Sequence, residues 1–498
     1  MINIKHIAFK GYKSFADSAV LEDIGNVNLI IGRNNSGKSS VLDILQYVFE
    51  NDTFLSIRPD EVKITQILPE NIIAKCFPKK VNVMFNNGNN INYYDYASRF
   101  KDREFSYFIQ NETTSSFDKT IAVHCENETK TNSRDEFAKS QFEDAAKLLY
   151  SSFRTLSVRK LSAERNIVPE EQQRGRKFNL DPDGTGATAT ISNYLNDGTI
   201  DESVIEVTLL NALNKILDED ANFNAIKVQQ IRRTGKETVW EICLSESGKR
   251  YALSKMGSGL KTILLVLINL LLSQNKEEHG VFLFEELENN LHPALRRRLF
   301  NFIYDFAIKN DVIVFMTTHS HVAINCLFEK EFANIYHIEK TDGKSSIKKI
   351  KDYFSKAELL DDLDVRASDL LQSNGIIWVE GPSDRVYIKR WLSLVDSTIK
   401  ENEHFQFVYY GGKLLSHYTA NSNDEKDLLN VLLTNRHSAI VMDSDKRSAS
   451  AEINETKKRV KNEFDQHGLF SWITQGKEIE NYLSCKSLML SSVPTWSK

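Results

Sequence analysis

Residues Gly32 to Ser39 read Gly-Arg-Asn-Asn-Ser-Gly-Lys-Ser, the G-x-x-x-x-G-K-S spacing with which a backbone wraps a polyphosphate. In such a loop successive N–H groups and a helix N-terminus face the phosphates, Lys38 reaches the β and γ oxygens, and the Ser39 hydroxyl helps hold Mg²⁺. Gly32, Asn34, Asn35, Ser36, Gly37, Lys38, Ser39 and Ser40 are therefore candidate ATP-binding residues. A phosphate loop supplies neither the attacking water nor a group to orient it, so a second element is needed downstream. Val281-Phe282-Leu283-Phe284 runs into Glu285-Glu286, where Glu285 would hold Mg²⁺ through water and Glu286 would polarise the attacking water. Another apolar run ends in Thr317-Thr318-His319-Ser320, and His319 there could reach the γ-phosphate. Between these, Gly257-Ser258-Gly259 precedes an apolar helix and forms a further anion-binding nest, with Ser258 and Gly259 as its candidates.

A separate acidic set follows. Glu380 and Asp384 lie in Glu-Gly-Pro-Ser-Asp, and Asp443 and Asp445 in Asp-Ser-Asp, each after an apolar run. Like charges at close range raise each other's pKa and oppose burial, so four carboxylates on one rim call for cations. Oxygen ligands alone favour Mg²⁺ or Mn²⁺, and two such ions suit phosphodiester hydrolysis. Taken singly, each acidic pair reads as a turn or a helix cap; in order on successive strands they read as a metal site.

The elements that must position these groups are legible around them. Val27–Ile31 is a short β-branched run, and Ser40–Phe49 places Val41, Leu42, Leu45, Val48 and Phe49 at helical spacing. Val312–Met316 is a further strand, and Thr262–Leu272 and Glu202–Ile216 are helices. Lys79–Gln141 alternates with Asn/Gly turns and predicts antiparallel sheet that completes an outer lobe. The stretch from Leu161 to Ala187 stays open between a dimerisation insert, about 160–225, and a flexible loop. Arg296, Arg297 and Arg298 read as a solvated helix face. Ile376–Val379, Phe405–Tyr410, the latter leading into Gly411–Lys413, and Ala439–Met442 alternate with helices, Arg385–Val395 among them, which implies a small parallel sheet with its acidic groups at the strands' carboxyl ends. The boundaries predicted are 1–355, an aspartate-rich linker over 356–370, and 371–498. The fold class is α/β throughout.

At 498 residues the chain exceeds one hydrophobic core. Its 41% hydrophobic and 26% charged content fits a folded protein rather than a disordered one, and a net charge of -5 argues against nonspecific coating of nucleic acid. The five cysteines lack C-x-x-C spacing, which points away from zinc and disulfide frameworks. No run approaches about 18 apolar residues, so a cytoplasmic protein without membrane contact is expected.

The opening Ile4–Phe15, the phosphate loop, the Ser258-Gly259 element, Glu285–Pro293 and Thr317–Ser320 resemble the ABC-type ATPase of the SMC and RecF group. That resemblance implies a dimer in which Ser258 of one subunit closes over ATP held by the other. The chain departs from the pattern with Glu285 where aspartate and Leu287 where proline are usual, which predicts slow hydrolysis. The second acidic set resembles the TOPRIM domain, and Gly476–Leu483 resembles the corresponding element of OLD-family nucleases (overcoming lysogenization defect). By that match Glu480 joins the metal shell and Lys477 stabilises the phosphate, although Glu478 could exchange roles with Glu480. The family usually continues further, so with sixteen residues after Tyr482 a minimal or shortened C-terminus is expected.

The combined resemblance implies an ABC-type ATPase followed by a Rossmann-like TOPRIM domain. It also implies an ATP-binding DNA endonuclease with two Mg²⁺ or Mn²⁺ ions in the TOPRIM site and one with ATP. The family includes anti-phage defence effectors, Gabija-type and retron-associated systems among them, so a homodimer or higher assembly, DNA and a defence partner are the expected associates. The alternative is an ATP-driven DNA-binding clamp or sensor whose acidic cluster holds a regulatory metal. A topoisomerase-like reading needs a nucleophilic tyrosine, and Tyr387, Tyr409, Tyr410 and Tyr482 lack a recognisable supporting module.

Overall fold

A computed structural model describes residues 4–50, 59–79, 82–84, 90–113, 119–125, 136–171, 180–232, 238–272, 280–328, 330–351, 375–396, 398–399, 401, 404–410, 437–446 and 451–483. The expected linker at 356–370, the domain start at 371 and the turn Gly411–Lys413 lie outside them. The chain divides into two compact units, Met1–Leu363 and Asp364–Lys498.

The first unit is built on a six-stranded sheet. β3 (Val27–Gly32), β9 (Ser157–Leu161), β13 (Gly280–Glu285), β14 (Ile313–Thr318) and β15 (Ala333–Thr341) run parallel in the order β15-β3-β14-β13-β9, and β16 (Lys344–Lys349) closes one edge antiparallel. Strands buried on both faces must be apolar at every position, and alternate residues then feed two cores. Val27, Leu29, Ile31, Phe282, Phe284, Val314 and Met316 belong to one core, while Ile30, Val281, Leu283 and Phe315 belong to the other.

α1 (Lys38–Glu50) packs in the second core with a five-stranded antiparallel sheet. That sheet consists of β1 (Ile4–Lys10), β2 (Ala19–Glu22), β4 (Glu61–Ile67), β7 (Glu104–Thr113) and β8 (Lys119–Cys125). α2 (Glu70–Cys76), α3 (Tyr93–Ala97) and α4 (Glu136–Ser151) accompany it, as does the small hairpin β5 (Asn82–Met84) and β6 (Asn90–Asn92). This is the outer lobe expected from the alternating segments.

The first core is filled by α5 (Ala187–Asn196), a π-helical stretch Val204–Leu209, α6 (Leu210–Leu217), α7 (Ser258–Leu271), α8 (Pro293–Asn310) and α9 (His321–Leu327). A meander of β10 (Ala225–Arg232), β11 (Thr238–Glu246) and β12 (Lys249–Ala252) flanks them. The stretch from Leu161 to Ala187 opens on the last residue of sheet strand β9, and the helices that follow it bury Ile191, Leu209 and Leu213 in the first core. One expectation needs correcting here: the three arginines are not a solvated face. Arg297 is buried, Arg296 donates to the Leu291 carbonyl at 2.8 Å, and Arg298 donates to the Ile216 carbonyl at 2.9 Å and pairs with Asp220 at 3.3 Å.

The second unit carries a four-stranded sheet, all parallel, in the order β18-β17-β19-β20: β17 (Ile376–Val379), β18 (Gln406–Tyr409), β19 (Ser438–Met442) and β20 (Phe470–Ile473). Sequence reading missed β20. α10 (Pro382–Val395) and α11 (Glu455–Gln466) supply the covering cores, with Ile388 on α10 beside Val379 and Val441, and Val460 and Phe464 on α11 beside Ile376, Ile440 and Met442.

Candidate functional site

In the first unit the strand register brings the chemistry to one edge of the sheet. Thr318 pairs with Ile31, Glu285 with Thr317, and Phe284 with Leu161, so the phosphate loop, the Glu285–Glu286 turn, His319 and the segment after β9 all leave from the strands' carboxyl ends. The loop itself is fixed by close approach. A Cβ on Gly32 would lie 2.4 Å from the Ile338 carbonyl, and Gly37, at φ +113°, would drive one into the Phe15 ring. Asn35 also takes a positive φ, of 62°, and the Ser345 hydroxyl donates to the Ser36 carbonyl at 2.5 Å.

Lys38 is only 7% exposed and folds back to donate to the carbonyls of Gly32 at 3.0 Å and Arg33 at 2.9 Å. Burial lowers its pKa to about 8, with Glu286 and Glu288 pulling the other way. Phosphate oxygens can take over the two carbonyls' role and restore a full charge there. Ser39, Asn34 and Asn35 are exposed and Ser40 is buried.

Glu286 sits in the left-handed region at φ 43°, a conformation that costs a non-glycine residue of order 1 kcal/mol and persists only when its neighbours impose it. Its N–H donates to the Thr317 carbonyl at 3.0 Å, and its carboxylate oxygen stands 3.2 Å from His319 Nε2. Asn289 donates to the other carboxylate oxygen at 3.1 Å. Glu285 is held by Lys160 at 3.7 Å and by the Ala163 N–H, and burial raises its pKa. Leu287, in place of the usual proline, is buried in the core.

Two groups here escaped sequence reading. Glu288 is 6% exposed and accepts from the Thr318 hydroxyl at 2.6 Å and the His319 N–H at 2.7 Å, which fixes the histidine turn. Arg165 donates to the carbonyls of Ser162, Glu285 and Glu286 at 2.5, 2.6 and 2.8 Å. Both lay inside segments singled out for other reasons, but Glu288's partners are 30 and 31 residues away and the Glu285 and Glu286 carbonyls that Arg165 caps are 120 and 121 away.

At the start of α7 Ser258 is exposed, and a Cβ on Gly259 would lie 2.7 Å from the Asn290 carbonyl. The glycine thus seats the helix start directly against the loop that follows Glu286 and Glu288.

The family model described as an AAA ATPase domain matches residues 2–324. The chain belongs to that family. The ATP-binding expectation stands in this form: the chain carries an ATPase domain, and the expected phosphate loop Gly32–Ser39 falls within the matched residues. Among curated proteins, the chromosome partition protein Smc of Desulfitobacterium hafniense (strain Y51) is 27% identical over 112 residues, 21% of this chain and 9% of that protein. The match therefore spans under a tenth of that relative's length. Among solved structures, an SmcHead bound to the C-winged helix domain of ScpA is 14% identical, with 71% of this chain and 99% of that one covered at a TM-score of 0.41. The SMC head domain from Thermotoga maritima is 13% identical, with 70% and 100% covered at a TM-score of 0.34.

Beyond the matched residues, the second unit gathers its acidic groups at the carboxyl ends of adjacent strands, β17 and β19, and near β20. Asp384, buried in the first turn of α10, accepts from the Gly381 N–H at 3.0 Å. Asp443 is pushed up to about 7 by burial and by the charges of Asp384 and Glu380, and the Ile479 N–H donates to it. Glu380 is raised by burial, against which Lys457 acts. Asp445 is the exposed member: it has a positive φ of 53° and pairs with Lys457, whose ammonium also donates to the Asp443 carbonyl at 2.8 Å. Lys457 was not anticipated; it is buried on α11, a helix whose sequence reads as surface. Glu480, in a 3₁₀ turn, adds its charge to Asp443, whereas Lys477 pairs with Glu478 at 2.7 Å on the exposed rim. Among the described residues, no group of three or more His, Cys, Asp or Glu side chains stands in metal-ligating geometry. Among the described residues Cys76, Cys243 and Cys326 form no disulfide, and no described helix is long and apolar enough to cross a membrane.

Proposed function

We propose that this chain is an ATP-regulated, divalent-metal-dependent DNA endonuclease of the OLD type, with its nuclease centre in a TOPRIM-like second unit. The observation that carries the reading is the placement of Glu380, Asp384 and Asp443 at the carboxyl ends of neighbouring parallel strands, where burial first, and then the charges of Asp384 and Glu380, push the Asp443 carboxyl up to about 7. The described side chains do not stand in ligating geometry as they are, but the donor chemistry is that of Mg²⁺ or Mn²⁺, since every group offers carboxylate oxygens. Glu380, Asp384, Asp443, Asp445 and Glu480 would hold the ions. Bound ions of this kind lower the pKa of water and neutralise a leaving oxygen. Lys477 lies on the same rim, where its ammonium would face a scissile phosphate.

In the first unit the reading assigns Lys38 and the loop amides to the phosphates, Ser39 and Glu285 to Mg²⁺ with ATP, Glu286 to the attacking water and His319 to the γ-phosphate. The 3.2 Å separation of His319 and Glu286 supports that pairing. Exposed Ser258 at the start of α7 supports a homodimer that closes over ATP; DNA as the substrate and anti-phage defence as the setting rest on the resemblance to OLD-family nucleases.

The test is cleavage of plasmid and linear DNA with Mg²⁺ or Mn²⁺. The intact protein should cut and Asp443→Ala should not; equal cutting by both would overturn the nuclease centre at Asp443, and no cutting by the intact protein would leave an ATP-driven clamp.

A further inference from the structure

We propose that Arg165 is a positioning residue for ATP hydrolysis and that the strut Lys160–Asn166 couples the Glu285–Glu286 turn to the start of α7. The inference rests on the assignment of Glu286 to the attacking water.

The strut is anchored at every second or third residue. Lys160 and the Ala163 N–H hold the Glu285 carboxylate. The Arg165 guanidinium caps the Glu285 and Glu286 carbonyls in parallel at 2.6 and 2.8 Å, while its Nε faces the Thr262 hydroxyl of α7 at 3.4 Å. Asn166, next along, accepts from Lys261 of the same helix at 3.0 Å. Only Gly259 and Leu260 therefore separate exposed Ser258 from Lys261 and Thr262, the α7 residues that meet the strut. The geometry suits arginine alone, because only a planar fork can serve two successive carbonyls and a third partner at once.

Arg165 also explains the backbone of Glu286. A left-handed non-glycine residue needs both of its peptide groups tied down, and here Thr317 takes the N–H and Arg165 takes the carbonyl. Release of the carbonyl lets the turn relax, and the Glu286 carboxylate then swings from His319. Displacement of a positioning group by about 1 Å can cost on the order of 10²-fold in rate. Any movement of α7 reaches the same turn through Thr262 and Asn166.

The experiment combines turnover with hydrogen exchange on the full chain. In Arg165→Ala, kcat for ATP should fall by about 10²-fold with Kd for a non-hydrolysable analogue within about threefold of the intact protein. Arg165→Lys, which keeps the charge and loses the fork, should fold normally without recovering kcat. Analogue binding with Mg²⁺ should alter amide exchange over residues 256–266 and 283–292 together in the intact protein, and over the phosphate loop alone in Arg165→Ala. Thr262→Val, which leaves the carbonyl contacts in place, should uncouple the 256–266 response while Glu286 stays held, and it serves where Arg165→Ala does not fold. Full turnover in Arg165→Lys, a loss confined to Kd, or an unchanged two-segment response in Arg165→Ala and Thr262→Val would overturn the proposal. Glu286→Gln separates the two ideas: turnover equal to the intact protein removes the role of Glu286, whereas abolished turnover with intact coupling leaves the strut to be judged by its own variants.

Discussion

The two units use one device, carboxylates at the carboxyl ends of parallel strands, and balance its charge in different ways. Around Glu285, Glu286 and Glu288 the first unit places Lys38, Lys160 and Arg165, so opposite charges lie within the chain itself. In the second unit Asp443 faces Asp384, Glu380 and Glu480, and Lys457 is committed to Asp445 and to a backbone carbonyl. The consequence appears at Asp443, whose carboxyl is pushed up to about 7. Under the proposed function, the first site would receive an anion that brings its own metal and the second would take cations from solution, so that the neighbouring basic residues would decide which chemistry one strand-end geometry serves.

The sharpest way to break this comparison is at Glu286. Replacement with Gln removes the negative charge proposed to polarise water while keeping the contact to Asn289 within reach, and should lower ATP turnover by at least about 10²-fold with analogue affinity nearly unchanged, as phosphate release and calorimetry would show. If affinity collapses instead, the carboxylate is a binding group and the division of roles in the first unit fails.

A second prediction concerns independence. Phe464 is fully buried in the core that α11 forms against the second sheet, and Phe464→Ala should destabilise that unit by about 3–5 kcal/mol. Scanning calorimetry should show one transition moving down while ATP affinity, measured below that transition, holds.

The smallest effect is one of pH. Lys38 has its pKa lowered to about 8 by burial in the free protein, and phosphates restore its charge on binding, so the bound pKa is the higher of the two. The bound form then holds more protons, and ATP affinity should be greatest below about pH 8 and weaken above it by up to about tenfold per pH unit. Calorimetry at pH 8.5 in buffers of different ionisation enthalpy should register proton uptake. By the same linkage the free protein gains stability as pH rises from about 8 toward the unfolded lysine range, since the buried ammonium is disfavoured. The acidic rim of the second unit contributes nothing to this ATP dependence if the two sites are balanced separately.

How much of this was legible follows from where the constraints act. The phosphate loop is readable because its chemistry dictates consecutive residues, and β3, β13 and β14 are readable because burial on both faces demands unbroken apolar runs. β9 hid itself: Ser157-Val-Arg-Lys-Leu looks polar, yet Arg159 is buried and spends its guanidinium on the carbonyls of Asn269 and Leu272 at 2.5 and 3.2 Å. With β9 missed, the following residues stayed open between an insert and a flexible loop, and Arg165 and Lys160 went unassigned. β20 escaped because Phe470-Ser-Trp-Ile is a short edge strand with Phe470 largely exposed. In the second unit Glu380, Asp384 and Asp443 were readable from strand-end position, whereas Lys457 was not, since nothing local on a highly charged helix tells which lysine turns inward.

The most direct measurement of the central claim is a calorimetric titration of Mn²⁺ into the nucleotide-free protein, comparing the intact chain with Asp443→Asn and Lys38→Ala. The account predicts saturable binding by the intact chain and by Lys38→Ala, and its loss in Asp443→Asn. Equal binding by Asp443→Asn would contradict a metal centre in the second unit.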